Sequence, residues 1–392
     1  MNRDLLSGEY KRFPKHWDVI LFTKAFKDMT GGQTKIPKGD YLESGDIPII
    51  DQGQDLIGGY TNERQAVCDI RLPCVVFGDH TKIFKFVTKP FALGADGVKV
   101  LSEANNIDPK FAYYFLNTLN LPNVGYSRHF RFLKRTFFPL PPLEEQRRIA
   151  AILDKADGVR RKRKEAIRLT EELLKSTFLE MFGDPVTNPK GWEVKTIEDI
   201  TVNQKGAIKR GPFGGALKKD IFIQAGFLVY EQYHALNNDF SFERYYISED
   251  KFEEMKGFEV KPGDIIISCS GVYLGKLAIV PENAKPGIIN QALLRITLNQ
   301  RKMNNYFFLY HFSHESFRDK FFAANRGSGV PNFPPISEFK TFPFIVPPIE
   351  DQNKFSARLQ QIQGFQSKAY ESIKESENLF NSLLQRAFRG EL

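Results

Sequence analysis

The feature that most constrains this chain is a long helix that occurs twice. Pro141 and Pro142 precede Leu143, Glu144, Glu145 and Gln146, and the run that follows holds one glycine, Gly158, before Gly183 and Pro185 stop it. Pro142 suits the first helical position, where a missing N–H costs nothing, and Glu144 and Glu145 fall where negative charge favours the helix dipole. The pattern predicts a helix of about 40 residues, roughly 60 Å at 1.5 Å per residue. The same opening returns as Pro347, Pro348, Ile349, Glu350, Asp351 and Gln352, and an offset of 206 holds without a gap from Pro142/Pro348 to Phe182/Phe388. Helix length itself is therefore held, and a rod of this length needs a partner.

Apolar residues recur at three- and four-residue steps: Ile149, Ile152, Val159, Ile167, Leu173, Phe178 and Phe182 in the first copy, Ile362, Ile373, Leu379, Phe380, Leu383 and Phe388 in the second. This is the spacing of a helix–helix seam, whose terminal phenylalanines are also open to a partner protein.

The rest of the chain is duplicated as well. Pro14 to Val19 and Pro189 to Val194 carry the two tryptophans, Trp17 and Trp192, in matching contexts. Each half then reads as short apolar strands: Ile47 to Ile50 and Cys74 to Phe77, then Phe227 to Tyr230 and Asp264 to Ser268. An aromatic helix follows in each, Phe111 to Leu116 and Tyr306 to Phe312, just ahead of a polar, basic segment and the double proline. From tryptophan to second proline the halves differ, 142 − 17 = 125 against 348 − 192 = 156, so the second globular region is longer by 31 residues. The expected fold is α+β: two mostly β globular domains held apart by two long antiparallel coiled-coil helices, with pseudo-two-fold symmetry. Expected segments are residues 1–140, 141–183, 184–345 and 346–392. Symmetry of this kind suits duplex DNA, whose half-sites repeat about every 34 to 36 Å.

Charge and cysteine usage agree with such a reading. The formal charge of +8 favours a polyanionic partner. Three cysteines, Cys68, Cys74 and Cys269, are too few for a disulfide framework and lack metal-ligand spacing. Charged residues interrupt the N-terminus, no apolar run approaches a membrane span, and a cytoplasmic location is expected.

The duplicated layout, with Pro-Pro-Leu/Ile-acid-acid-Gln opening each long helix, resembles the specificity (S) subunits of type I restriction–modification enzymes. Similar wording continues in Phe77 to Thr81 and Ala95 to Lys99 of the first domain, and in Gly211 to Gly214, Gly263 to Ile266 and Asn290 to Leu293 of the second. The resemblance spans nearly the whole chain. It implies two target recognition domains, each reading one half of a split, asymmetric double-stranded DNA sequence, with the helices setting the unread spacer. It further implies a subunit of a bacterium or archaeon with no catalysis and no cofactor of its own. Two methyltransferase subunits would bring S-adenosylmethionine, and two restriction/translocase subunits would bring ATP and Mg chemistry.

Candidate DNA contacts fall in two places. Lys209, Arg210, Lys218 and Lys219 flank the glycine-rich Gly211 to Gly215, a loop able to bring N–H groups and cations to phosphate, or simply a solvated turn. Tyr126, Arg128, His129 and Arg131, with Lys134 and Arg135, interleave aromatic and basic groups before the first double proline; Arg326, Ser328 and Asn332 hold the equivalent stretch of the second half. Arginine pairs with guanine and asparagine with adenine in the major groove, so these are the expected base readers, with phosphate anchoring or plain exposure as the alternative. The run Arg160 to Lys164 reads as a solvated helix face, or as a contact to spacer phosphates or a methyltransferase.

Enzyme-like patterns are weak. Asp184, Glu193 and Lys195 imitate a nuclease triad, but the first half has Asp18 and Ile20 at the last two positions. His311 and His314 lack a carboxylate pair, and Asn332 to Pro335 has the wrong order for an adenine methyltransferase loop. A self-contained methyltransferase or nuclease, and a two-headed protein adaptor that binds no nucleic acid, are the competing readings. Binding of S-adenosylmethionine by the isolated chain would favour the first, and failure to retain DNA at low salt the second.

Overall fold

The structure, a computed structural model, describes residues 13–94, 97–123, 127–271, 273–322 and 332–392. The chain divides into two compact units, residues 1–166 with 369–392 and residues 167–368. Each unit joins a globular head to the opening part of the long helix that follows it and to the closing part of the other long helix.

The first head contains strands β1 (Asp18–Leu21), β2 (Phe26–Asp28), β3 (Lys35–Ile36), β4 (Ile47–Ile50), β5 (Gly59–Thr61), β6 (Cys74–Gly78), β7 (Phe84–Val87), β8 (Ala92–Gly94), β9 (Val98–Glu103) and β10 (Phe137–Leu140). One sheet has the order β2-β9-β6-β7 and is antiparallel throughout; the other, β3-β8-β4-β5, pairs β8 in parallel with both β3 and β4. The second head repeats this plan with β11 (Val194–Thr196), β12 (Ile208–Arg210), β13 (Phe227–Tyr230), β14 (Tyr246–Ile247), β15 (Glu259–Val260), β16 (Ile265–Ser268), β17 (Leu277–Ile279), β18 (Gly287–Ile289), β19 (Leu293–Ile296) and β20 (Pro343–Ile345). Its antiparallel sheet, β12-β19-β16-β17, keeps the order of the first; in the other, β14-β13-β18-β15, the parallel pair β13–β18 is kept, but the edge strand β15 joins β18 antiparallel where β3 joins β8 in parallel.

The continuous apolar runs of β6 and β16 have a simple cause. Successive strand residues point to opposite faces, and here both faces are buried. Val75 and Phe77 enter the core beneath the aromatic helix Pro109–Leu116, while Cys74 and Val76 enter a second core between the sheets. Ile265 and Ile267 divide from Ile266 in the same way. Burial raises the thiols of Cys68, Cys74 and Cys269 to about 11, 12 and 12, so all three behave as small apolar groups.

The 31 additional residues of the second head are largely helical. Gln232–Asn237 and Glu249–Glu254 lie between β13 and β16, and Glu315–Phe322 follows the aromatic helix Asn305–Ser313.

The repeated motif explains how each long helix is mounted. Helices run from Leu143 to Phe182 and from Ile349 to Ala387. Gln146 is fully buried: its Oε1 accepts the Asp108 N–H at 2.9 Å, and its Nε2 donates to the carbonyls of Asn106 at 3.0 Å and Pro141 at 2.8 Å. Gln352 makes the same set with Asn304 (2.8 Å), Lys302 (3.0 Å) and Pro347 (2.7 Å). Asp108 and Asn304 also cap the aromatic helices, so one buried amide ties each long helix to its head. The helix ends are matched too. Gly183 and Gly390 take left-handed φ of 78° and 71°, and a β-carbon there would lie 2.6 Å from Pro189 and 2.3 Å from Pro14. Glycine alone turns the chain and lets those prolines close in.

Within each unit the two helix segments run antiparallel. In the first, Arg148 donates to the Leu392 carbonyl at 2.6 Å, Arg160 lies 4.4 Å over the Phe380 ring, Arg163 donates to Ser372 O at 2.5 Å and to Ser376 Oγ, and Lys164 meets Glu377 at 3.0 Å. In the second, Phe355 packs edge-on against Phe178 and Phe182, with centroids 5.6 Å away.

The seam differs from the sequence expectation in two respects. Val159, Leu173 and Leu379 are 44%, 49% and 58% exposed and take no part in it, because packing against the heads rotates other residues, Leu153 and Leu359, inward. Phe178, Phe182, Phe380 and Phe388 are buried in the head cores. Ile149 and Ile167 are buried, whereas Ile152, Ile362, Ile373 and Leu383 are half-buried. The basic run is partly structural rather than a solvated face, since Arg160, Arg163 and Lys164 all reach the opposite helix.

Candidate nucleic-acid interface

In each head one edge of the antiparallel sheet gathers the loops that hold the predicted polar residues. At the first, the chain leaves β6 through Asp79, whose N–H donates to Gly97 O at 2.6 Å. The buried Asp79 carboxylate accepts the Phe130 N–H at 2.6 Å, and its backbone carbonyl accepts the His129 N–H at 2.8 Å. This docking fixes the segment that carries Arg128 and Arg131.

It also corrects one expectation. His129 is only 1% exposed, with Nδ1 2.9 Å from the Asp79 carbonyl, and it is a structural residue rather than a base reader. Alternation through the short helix Phe130–Leu133 instead exposes Arg128, Arg131, Lys134 and Arg135. Arg131 lies 4.7 Å over Phe132 and Lys134 5.6 Å over Phe130, so rings hold these cations at the surface. Tyr126 lies outside the described residues.

Beside them is the turn that follows β6. Thr81 is exposed and Lys82 takes a left-handed φ of 63°. Gln52, which follows β4, packs beneath it with Oε1 buried and unbonded.

At the second head, β12 and β16 flank β19 and leave the sheet at the same end. Gly211 N donates to Leu293 O and Cys269 N to Ala292 O, each at 2.8 Å. Lys218 and Lys219 are exposed. Arg210 is half-buried and lies 5.9 Å from the Phe213 ring, and Lys209 is half-buried 4.6 Å over Phe258, between the sheets. Asn332 is exposed and bridges to Ser270, which places it beside the loop after β16. Gln232, the positional equivalent of Gln52, donates to Ser270 O at 2.9 Å and Ser268 Oγ at 2.9 Å. Arg326 and Ser328 lie outside the described residues. The structure therefore places Arg210 at the end of β12 and Asn332 beside the loop after β16, leaves Lys218 and Lys219 exposed on the loop that follows β12, and turns Lys209 toward Phe258. Gln52 and Gln232 follow matching strands in the sequence, and glycines mark the turn after β16, but spacing gave no sign that these residues meet at the sheet edge.

The enzyme-like groups are occupied elsewhere. Asp184 Oδ1 accepts the N–H groups of Val186 and Thr187 at 2.8 and 2.9 Å, and Lys195 pairs with Glu193 at 3.1 Å. His311 is fully buried, held neutral with its pKa lowered to about 3, and accepts the Ile345 N–H at 3.3 Å. Among the described residues no group of three or more His, Cys, Asp or Glu is placed to hold a metal ion, and no helix is long and apolar enough to cross a membrane.

With this geometry in place, similarity to known proteins is informative. The family model of the type I restriction modification DNA specificity domain matches residues 23–169 and again residues 189–375, once for each head. The chain is 22% identical to the MjaVIII type I restriction enzyme specificity subunit of Methanocaldococcus jannaschii, over 95% of this chain and 93% of that one. A stretch of 83 residues, 20% of each protein, is 32% identical to the EcoR124I/EcoR124II specificity subunit of Escherichia coli. The fold is similar to that of the type I restriction-modification S subunit from M. genitalium, with TM-score 0.58, 15% identity and 95% and 96% of the chains covered. A chain from a structure of type I R-M complex assembly and conformational transition gives TM-score 0.52 at 18% identity, with 97% and 99% covered. Two matches of one domain model, one on each repeat of a duplicated fold, place this chain in the type I restriction–modification DNA specificity family.

Proposed function

We propose that the chain reads a bipartite, asymmetric double-stranded DNA target, one half-site per head, and that its helices set the unread spacer. The observation that carries this reading is the combination of identical mounts with unlike edges. Gln146 and Gln352 fix both helices to their heads by the same bonds, while the exposed residues at the two sheet edges differ. A device built to hold two different readers at a set separation needs both properties.

In this reading Arg128 and Arg131 serve the first half-site. Tyr126, outside the described residues, joins them there. Arg210, Lys218, Lys219 and Asn332 serve the second, joined by Arg326 and Ser328, which also lie outside the described residues. Exposed apolar residues on the helices, Val159 and Leu379 in the first unit and Leu173 and Phe365 in the second, offer surfaces for two methyltransferase subunits. Those subunits supply S-adenosylmethionine, and restriction/translocase subunits supply ATP and Mg; this chain performs no chemistry and holds no cofactor. Its domain boundaries follow residues 1–140, 141–183, 184–345 and 346–392, and it works in the cytoplasm of a bacterium or archaeon.

The test is selection of random duplexes by the full chain with its methyltransferase subunits at low salt. Retained sequences should show two short fixed blocks separated by a gap of constant length. A single contiguous block, or no retention at all, would overturn the reading.

A further inference from the structure

The edge of the second head presents two aromatic rings that neither packing nor hydrogen bonding explains. Phe213 is 74% exposed, the highest value for a large apolar side chain among the described residues, and Tyr273 is 59% exposed. They sit on the neighbouring loops that leave β12 and β16, which bond adjacent carbonyls of the same strand, at Leu293 and Ala292.

Both rings stand on firm mounts. Beneath Tyr273, Leu274 is buried, and Arg318 donates to the carbonyls of Leu274 at 2.8 Å and Gly275 at 3.2 Å. Gly271 and Gly275 hold left-handed φ of 78° and 74°, a conformation that strains other residues. On the near side Gln232 donates to Ser270 O, and Phe333 N donates to Cys269 O at 2.9 Å. Beneath Phe213, Gly211 and Pro212 are buried. The described residues beside each ring are held by these contacts while the ring is left in solvent. A folded head exposes apolar rings on rigid supports at a cost in transfer free energy, and an occupant that covers them recovers it.

Charge indicates the occupant. Between Arg210 and Phe222 the loop carries Arg210, Lys218 and Lys219 against one acid, Asp220. Aromatic rings within a cationic rim fit the stacked bases of a polyanion, where apolar wedges partly unstack a base step and the rim holds the flanking phosphates.

The first head lacks this device. Its turn after β6 is Asp79, His80, Thr81 and Lys82, and its loop after β2 is Met29, Thr30, Gly31, Gly32, Gln33 and Thr34, without an aromatic residue in either.

We infer that Phe213 and Tyr273 are wedges that unstack a base step of duplex DNA in the second half-site only, so that this head selects sequence partly by how readily a step deforms. Pyrimidine–purine steps unstack most easily and are the steps this head favours. The inference rests on the DNA-reading function proposed above.

The test uses the full chain with its methyltransferase subunits and duplexes carrying the selected target, with 2-aminopurine at successive positions of each half-site. The expected result is a fluorescence rise at one step of the second half-site and none in the first. Phe213→Ala and Tyr273→Ala should each abolish the rise and weaken binding about ten-fold. Tyr273→Phe, which keeps the ring, should preserve both. Replacing the step with a stiff A-tract step should weaken the wild-type complex and leave the alanine variants unaffected.

Wild-type binding without a fluorescence rise would overturn the inference, as would alanine variants with unchanged affinity and target. Loss of methyltransferase subunits from the alanine variants, seen by co-elution, would also overturn it by making the rings a protein contact. Failure of the wild-type complex to retain any duplex would instead refute the DNA-reading function itself.

Discussion

The two heads share a frame and differ in what the frame carries. Their antiparallel sheets have the same strand order, their helices the same glutamine mount, and their helix ends the same glycine–proline closure. At matched positions inside, the chemistry departs. Opposite Val76 on β7 stands Lys85, buried and 3.4 Å from Asp51; opposite Ile266 on β17 stands Ala278. Glu231, which follows β13 as Asp51 follows β4, pairs instead with Arg244 at 2.7 Å. Glu103 at the end of β9 occupies the place of Leu298. At the edge, Thr81 and Lys82 stand against Tyr273. Duplication kept whatever positions the heads and released what faces the target, which is the expected outcome when geometry must be common and sequence preference must not.

The widest test of that division is to exchange residues 184–345 for the corresponding segment of another family member. One half-site should be replaced outright, with the other half-site and the gap unchanged, as read by methylation mapping; a change in both would end the idea of independent heads. Inserting four residues into one long helix should next lengthen the gap, since about 6 Å of rod corresponds to close to two base pairs. Selected duplexes report this directly, and an unchanged gap would deny the helices their ruler role.

The glutamine mounts allow a sharper comparison. Gln146→Ala leaves one N–H and two carbonyls unpaired and should destabilise the first unit by about 2 to 4 kcal/mol. Hydrogen exchange should show lost protection in that unit alone, and Gln352→Ala should give the mirror result. Equal loss in both units after either change would mean that the mounts are not local.

The smallest effect separates Glu103 from Leu298. Burial raises the Glu103 carboxyl to about 7 in the folded unit, from 4.5 for an unperturbed glutamate. The folded unit therefore keeps a proton that the unfolded chain has released, and stability falls as pH rises through that interval. Glu103→Leu should flatten the change in Tm between acidic and mildly alkaline buffer by roughly 2 to 4 °C. An undiminished slope would assign the pH response to another group.

Much of this was legible in the residues. The offset of 206 placed both long helices correctly because proline, acid and glycine act locally on the backbone, and Ile47 to Ile50 and Phe227 to Tyr230 form the strands that their β-branched runs predict. The seam was legible only in part. Val159, Leu173 and Leu379 fit a helical period as well as Leu153 and Leu359 do, and the choice between them depends on which face meets a head. At the edges, His129 and Arg128 are neighbours in a basic, aromatic stretch, and composition cannot tell that one is buried under Asp79 while the other is exposed.

By itself, then, the sequence determined a tandem repeat, the length of its helices, the order of strand, aromatic helix and long helix, and the family that these features mark. Each follows from spacing or from the backbone preference of single residues. The tertiary structure alone decided which polar residues reach the surface, that the basic run bridges to a second helix, and that Phe213 and Tyr273 stand exposed on the loops that leave β12 and β16. Those outcomes depend on contacts between residues tens to hundreds of positions apart, such as Arg163 with Ser372 or Arg318 with Leu274, and no local pattern encodes them.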